Sequence, residues 1–310
     1  MDIRQLRYFV GVVEAGSFTR AAEQLNVAQS ALSLHVRQME ERFGVALLTR
    51  ERTGVRVTEK GARLFQHAQI ILRQMALADA ELASGAQTPA GEVNIGIPSA
   101  AARILVPGLL AEARRKIPAV SVKISEGLTI PLQEWMASGR LNLALSYRTP
   151  TTLERSLEIA REAFWLIVPA EAKPWGDRDT VSLAELAGVP LVVPMPNNNA
   201  PGTVAALVDR HRSMLNVAFE VDSLSTIVNM VIEGQACSIL PASAVQPELR
   251  DGLVKAVRIE NRAIERSIVV VTNLRDETDR AVIATRTVLI ETVRDLIASG
   301  VWPATLCDAA

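Results

Sequence analysis

The chain has 310 residues, 49% of them hydrophobic, which is enough for two or more domains with packed cores. Its formal net charge is −1, and no apolar run approaches the roughly 20 residues of a membrane-spanning helix. The charged N-terminus lacks the apolar segment of a signal peptide, so we expect a cytoplasmic protein. The two cysteines and three histidines show no metal-ligand spacing, and we expect neither a metal nor a cofactor.

The charge is distributed unevenly along the chain. Residues 1–75 contain 11 Lys and Arg against seven Asp and Glu, a net charge of +4, which leaves −5 for the other 235 residues. A basic N-terminal segment suits a phosphate-rich partner such as DNA. A solvated basic surface would give the same balance, so the charge alone does not decide between them.

Three helices are predicted in the first 43 residues. Apolar residues recur at helical spacing over 3–15, and Gly16 ends this helix. The stretch 17–43 predicts two short amphipathic helices, with Ser17 as an N-cap and a turn at Asn26. The apolar face of the second helix comprises Ala31, Leu32, Val36 and Met39, with Phe43 one turn further on. This pattern favours a helix-turn-helix, although a helical hairpin inside a core is the alternative.

A short β-hairpin is predicted over 47–57, with its turn at Thr53 and Gly54. Three arginines cluster at or near its tip: Arg50, Arg52 and Arg56. Directly after a helix-turn-helix, such a hairpin is typical of a wing that reaches the DNA backbone or minor groove. The alternative is a solvated surface hairpin.

A long helix is predicted from Thr58 to about Gly85. Its apolar residues step by four and three positions, as in a coiled-coil seam: Leu64, Ala68, Ile71, Met75, Ala78 and Leu82. The same helix of a second copy is the simplest partner for this seam, and packing within its own domain is the alternative. A Gly-, Pro- and Ser-containing linker follows at 84–91.

Beyond the linker, strand-like runs alternate with helical segments, which predicts an α/β fold with a largely parallel sheet. The predicted strands are 93–97, 120–124, 141–146, 164–168, 191–193, 217–221, 238–240 and 267–272.

The N-terminal block resembles the LysR-type transcriptional regulators through LRYFVGVVEAGSFTRAAEQLNVAQSALSLHVRQMEERFGVALLTRERTGVRVTEKG, taken as one unit. The segments VNIGIPSAAARILVPGLLAEARRKIPAVSVKISEG, GRLNLALSY and DSLSTIVNMVIEGQACSILP resemble that family's effector domain. The resemblance covers nearly the whole chain. Within the family, the chain most resembles the nitrogen assimilation control group.

The resemblance implies an N-terminal winged helix-turn-helix at 1–58 and a dimerisation helix with hinge at 59–91. A two-lobed α/β domain like a periplasmic binding protein would follow at 92–300. Its first lobe would comprise 92–161 and 267–300 and its second lobe 162–266, and 301–310 would be a tail.

The implied function is that of an effector-responsive transcriptional regulator, commonly an activator, and not an enzyme. The implied partners are double-stranded DNA, further copies in a dimer or tetramer, RNA polymerase and a small organic anion. The alternative is a cytoplasmic small-molecule-binding protein or an enzyme on the same two-lobed fold without DNA binding. No nucleophile, base and orienting group are recognisable in the sequence, which disfavours an enzyme.

Two sets of site residues follow from the motif and the resemblance. Base edges and phosphates would be contacted from the second helix and the wing by Ala28, Gln29, Ser30, Ser33, Arg37, Arg50 and Arg56. Two residues depart from the family here, because Ser30 replaces a usual proline and Leu34 a usual arginine or glutamine. The effector would be bound by Ser99, Ala100, Ala101, Leu128, Thr129, Arg148, Asn197, Asn198 and Ser225.

Overall fold

The computed structural model describes residues 1–51, 54–83, 88–148, 156–171, 178–195, 204–212, 214–260 and 265–307. These belong to two compact units, Met1–Gln87 and Thr88–Ala310.

The first unit begins with the three predicted helices, α1 (Ile3–Ala15), α2 (Phe18–Leu25) and α3 (Gln29–Phe43). Ser17 caps α2 by accepting a hydrogen bond from the Arg20 backbone N–H at 3.5 Å. Asn26 ends α2 in the left-handed region, with φ of 52°. Asparagine tolerates this conformation better than most residues, so the sharp turn between α2 and α3 follows directly from the sequence.

The three helices share a small apolar core. Its most buried side chains are Leu6, Phe9, Val12, Ala21, Leu32, Val36 and Met39. The prediction that Phe43 extends the apolar face of α3 is wrong, because its side chain is 44% exposed. Phe43 is the last residue of α3, before the left-handed Gly44, and the Arg42 guanidinium lies 5.8 Å from its ring centre.

A hairpin follows, formed by β1 (Leu48–Glu51) and β2 (Gly54–Val57). The strands pair antiparallel, from Leu48 opposite Val57 to Glu51 opposite Gly54. Arg52 and Thr53 of the predicted turn lie outside the described residues. The hairpin is fixed to α3, since one Glu40 carboxylate oxygen accepts hydrogen bonds from the backbone N–H groups of Leu47 and Leu48 at 2.8 and 3.1 Å.

The long helix α4 (Glu59–Ala83) starts where predicted, and the Thr58 hydroxyl accepts a hydrogen bond from the Gly61 N–H at 3.0 Å. Glycine is required at 61, because a Cβ would overlap the Leu47 carbonyl. The seam of α4 is divided. Ala68 and Leu64 pack in the core of the first unit, whereas Ile71 and Met75 are 36% and 39% exposed.

The second unit contains two lobes. The helices are α5 (Ser99–Lys116), α6 (Thr129–Ser138), α7 (Val204–His211), α8 (Leu224–Ile232), α9 (Gln246–Arg250) and α10 (Arg280–Ala298). The strands are β3 (Gly91–Pro98), β4 (Val120–Gly127), β5 (Leu143–Tyr147), β6 (Ser156–Pro169), β7 (Thr180–Val181), β8 (Leu191–Val193), β9 (Val217–Glu220), β10 (Ser238–Pro241), β11 (Val254–Ile259), β12 (Glu265–Thr272) and β13 (Ala304–Leu306).

The long strand β6 passes through both lobes. Its first half pairs with β12, which continues the sheet as β5, β3 and β4, and its second half pairs with β10 and β11. The sheet is therefore mixed, and the prediction of a largely parallel sheet is wrong. The βαβ units of the first lobe are parallel as expected, but β12 runs antiparallel to both β5 and β6.

The predicted tail, 301–310, is structured through residue 307. Trp302 is completely buried in the core of the first lobe, and β13 pairs with β6 through Ala304 opposite Glu162. Burial of a large aromatic ring anchors this segment. The first lobe therefore extends to residue 307, beyond the expected end at 300. Residues 308–310 lie outside the described part.

Candidate functional site

The first half of α3 presents a polar, accessible face. Ala28, Gln29 and Ser30 are exposed at its start, and Ser33 is half-buried one turn later. Arg37 is exposed a further turn along, where its Nε lies 3.3 Å from Glu41. Residues 29, 33 and 37 are four apart, so they share one side of the helix. The structure thus brings Gln29, Ser33 and Arg37 together on one side of α3, with Ala28 and Ser30 exposed at the start of the helix.

Leu34 lies on this exposed part of α3 and is 54% exposed. More than half of this apolar side chain is therefore accessible to an apolar partner. In a major groove that partner would be a thymine methyl group.

The two predicted wing residues lie on opposite strands of the hairpin. Arg56 is exposed on β2, and Arg50 lies on β1 opposite Val55. The side chain of Arg50 is outside the described part of the structure.

A basic concavity beside α3 was not predicted from the sequence. Arg4 and Arg7 of α1 line a hollow of about 640 Å³ with Tyr8 and His35. The His35 and Tyr8 ring centres are 5.2 Å apart. The sequence does show two arginines three positions apart on α1, but it does not show that they lie next to α3, which only the fold reveals.

The second unit has a cavity of about 100 Å³ in the cleft between its lobes. Helices α5 and α6 begin at its edge in the first lobe, and α8 begins there in the second lobe. The N-caps of α5 and α6 are Pro98 and Leu128, which provide no side-chain hydrogen bond to the free N–H groups. The remaining walls are mostly apolar: Ala100, Pro194, Val221, Leu224, Ile227, Leu240 and Pro241.

A buried polar network adjoins this cavity. Glu162 accepts from the Arg266 Nε at 2.7 Å through one oxygen, and from the Ser243 hydroxyl and the Trp302 indole N–H at 2.8 and 2.9 Å through the other. The four residues come from β6, β12, the second lobe and the C-terminal segment. Glu162 therefore joins both lobes to the end of the chain.

Arg266 and Tyr147 are two of the polar residues in the cavity wall, besides Ser99, Thr129, Asp222 and Ser223. The guanidinium carbon of Arg266 lies 3.5 Å from the centre of the Tyr147 ring. The Tyr147 hydroxyl is buried and has no hydrogen-bond partner among the described residues. Burial raises the pKa of Tyr147, which keeps its phenol protonated and able to donate.

The predicted effector residues divide into three groups. Ser99, Ala100, Leu128 and Thr129 line the cavity together, and Ser225 lines an adjoining hollow. Ala101 instead buries its methyl group in the core of the first lobe. Asn197 and Asn198 lie outside the described residues.

Arg148 is also absent from the cavity wall, because its Nη2 pairs with Glu158 at 2.5 Å. The pKa of Glu158 is lowered, since burial is outweighed by hydrogen bonds from Arg161 and Ser267 and by the charge of Arg148. Among the polar residues of the cavity, the sequence did not nominate Asp222, Ser223, Tyr147 or Arg266. Tyr147 and Arg266 meet at the cavity although 119 positions separate them.

Cys237 is buried beside β10, and burial raises the pKa of its thiol to about 11. A thiol in this state reacts poorly, which supports a packing role over a redox role. Among the described residues, no group of three or more acidic, His or Cys side chains is placed to hold a metal ion. In the same part of the chain, no helix is long and apolar enough to cross a bilayer.

Two family models match the chain. Residues 3–62 match the bacterial regulatory helix-turn-helix protein of the lysR family, and residues 86–294 match the LysR substrate binding domain.

Several characterised proteins are similar over most of their length. The nitrogen assimilation regulatory protein nac of Klebsiella aerogenes is 32% identical over 79% of this chain and 80% of its own. The DNA-binding transcriptional dual regulator OxyR of Escherichia coli K12 is 30% identical over 82% of this chain and 84% of its own. A full-length OxyR variant from Pseudomonas aeruginosa superposes with a TM-score of 0.74 at 25% identity, covering 95% of both chains.

Proposed function

The chain belongs to the LysR family of bacterial transcriptional regulators, and from this premise we propose which of its residues read DNA and what its cleft binds. It is a DNA-binding transcriptional regulator with an effector-binding domain, and its relatives are regulators rather than enzymes. Nothing in its sequence or fold favours the alternative of a binding protein or enzyme without DNA binding.

The first half of α3 is the proposed reading surface for the major groove. The single observation that carries this is the shared face of Gln29, Ser33 and Arg37, of which Gln29 and Arg37 are exposed, together with the exposed Leu34. Gln29 suits adenine, and Arg37 suits guanine or phosphate. Arg50 and Arg56 of the hairpin would contact the backbone beside the groove.

Removing a wing charge should weaken DNA binding regardless of sequence. We expect Arg56→Ala to reduce affinity for all duplexes and to lower the slope of log affinity against log salt by about 1, because one phosphate contact is lost. Fluorescence anisotropy over a salt series measures this. The control Arg250→Ala removes an exposed arginine from the second unit, and it should leave both the DNA affinity and the salt slope unchanged. An unchanged salt slope for Arg56→Ala would remove the wing from the proposed interface.

Self-association is proposed to use the exposed half of the α4 seam. Ile71 and Met75 lie one turn apart there and are more than a third exposed. A dimer through α4 would place two α3 helices on one DNA duplex. We also propose that two such dimers assemble into a tetramer, and that the assembled protein contacts RNA polymerase when it activates transcription.

The cleft of the second unit is proposed to bind a small organic anion. The starts of α5 and α6 supply free backbone N–H groups and the positive ends of two helix dipoles. Ser99 and Thr129 add hydroxyl groups at the same place. Binding between two lobes would shift their relative position and so change the DNA complex.

A panel of small metabolites tests this proposal. We expect carboxylates to raise the thermal unfolding temperature of the full chain, since a ligand that binds only the folded state stabilises it. Ser99→Ala and Thr129→Val should each reduce this shift, whereas Ser299→Ala, at the end of α10 and outside both hollows, should not. Stabilisation only by cations or by neutral apolar compounds would contradict an anion site.

A further inference from the structure

We propose that the basic hollow beside α3, lined by Arg4, Arg7 and His35, holds the DNA backbone on the side of the major groove opposite to the hairpin. This inference rests on the proposed reading of DNA by α3 and adds a second backbone contact to it. Three features carry the inference: the position of the hollow around α3, the width of the groove and the charge of the hollow.

The hollow and the hairpin lie on opposite flanks of α3. Leu34 and Glu41 are both exposed, and because they are seven positions apart they lie along one line on the helix. His35 follows Leu34, so its side chain turns away from this line by about 100°. Glu40 precedes Glu41, so its side chain turns by about the same angle in the opposite direction. His35 lines the hollow, whereas Glu40 accepts the backbone N–H groups that fix the hairpin.

The dimensions of DNA give each flank a role. The major groove is about 12 Å wide, and an α-helix with its side chains is about 10–12 Å across. A helix that fills the groove therefore has a sugar-phosphate backbone along each flank. In the proposed complex the hairpin, with Arg50 and Arg56, meets one backbone. The hollow lies on the flank that meets the other.

The charge of the hollow comes from two arginines of α1. Arg4 and Arg7 are exposed, and within the described part of the chain neither forms a hydrogen bond or an ion pair. Asp2 also lines the hollow, but its carboxylate caps α1 by accepting from the Gln5 backbone N–H at 2.8 Å. Two cationic groups against one carboxylate leave the hollow with a net positive charge.

The placement of these two arginines is unfavourable in the free protein. They are three positions apart on α1, so they share one face of the helix, where like charges repel. Two other exposed arginines of this unit, Arg37 and Arg63, each pair with a glutamate four positions away. A phosphate bound between Arg4 and Arg7 would offset their repulsion and accept from both guanidinium groups.

The salt dependence of DNA affinity tests this contact. The double variant Arg4→Ala, Arg7→Ala should lower the slope of log affinity against log salt by about 0.9, the value for one phosphate, which is about eightfold in affinity at about 0.1 M salt. The double variant Arg4→Lys, Arg7→Lys keeps both charges and should retain the slope. The control Arg250→Ala, Arg258→Ala removes two exposed arginines from the second unit and should also retain it.

Neutral phosphate analogues show which backbone the hollow contacts. Single methylphosphonate replacements in a duplex that the unchanged chain prefers should reveal two groups of sensitive positions, one on each side of the groove that α3 occupies. Arg56→Ala should lose the sensitivity of one group, and Arg4→Ala, Arg7→Ala should lose that of the other.

Thermal unfolding separates binding from folding. Arg4→Ala, Arg7→Ala should unfold at the same temperature as the unchanged chain or slightly higher, because a repulsion is removed. A loss of DNA affinity accompanied by a lower unfolding temperature, and not rescued by the lysine variant, would make the two arginines structural and overturn the inference.

The outcomes distinguish this inference from the proposal beneath it. An unchanged salt slope in Arg4→Ala, Arg7→Ala, with a lowered slope in Arg56→Ala, would overturn the inference and leave the wing contact standing. Unchanged slopes in both variants would overturn both. Loss of sensitivity at the same phosphates in both variants would overturn the placement on opposite flanks. A change in self-association alone, measured by sedimentation, would make the hollow a contact between copies and not a DNA site.

Discussion

We expect Glu162→Gln to destabilise the second unit by about 3–5 kcal/mol, the cost of leaving a buried charge without its counter-charge. Glu162 and Arg266 are 2% and 6% exposed, and the substitution preserves the shape of the side chain while removing its charge. All four tryptophans lie after residue 88, so their fluorescence during urea unfolding of the full chain follows this unit alone.

Two further variants separate the charge from the packing. Glu158→Gln, on the same strand, removes a carboxylate whose arginine partners are 37% and 58% exposed, and should cost about 1 kcal/mol or less. The double variant Glu162→Leu, Arg266→Met replaces both charges with apolar groups and should recover much of the lost stability. A double variant as unstable as the sum of the single variants would show that the charge pair is not the cause.

The second large effect is expected at Gln29 of α3. Gln29→Ala should cost about 1–3 kcal/mol of discrimination at one base position, because a bidentate contact to adenine is lost. Binding to random DNA should change little. The readout is the ratio of affinities for a preferred duplex and for a random duplex at fixed salt.

Gln38 provides a matched control on the same helix. It lies nine positions after Gln29, which places the two side chains on opposite sides of α3. Its amide oxygen lies 3.5 Å from the Gln5 side chain of α1. Gln38→Ala should leave the affinity ratio unchanged, and an equal effect of both variants would mean that α3 does not read bases through its first half.

The first unit was predictable because local signals determine it. Ser17, Asn26 and Thr58 mark helix ends through hydrogen bonds and backbone preferences that act within a few residues. The seam of α4 was also recognised, but periodicity could not show that Ala68 packs within its own unit while Met75 remains exposed.

The cleft was predicted only in part because its polar contacts join distant segments. Ser99 was found from a strand-to-helix boundary, which is a local feature, whereas Thr129 was implied only by the family resemblance. The contact between Glu162 and Trp302 spans 140 positions and has no periodic signature. For the same reason the C-terminal segment was expected to be a tail, although its tryptophan completes the core of the first lobe.

DNA reading by α3 is tested most directly by selecting duplexes from a random pool with the full chain and sequencing those retained. We predict enrichment of a common sequence, which Gln29→Ala alters at specific positions and Gln38→Ala does not. Two results would contradict α3 as the reading surface. Either the retained duplexes share no sequence, or the unchanged chain, Gln29→Ala and Gln38→Ala all enrich the same sequence.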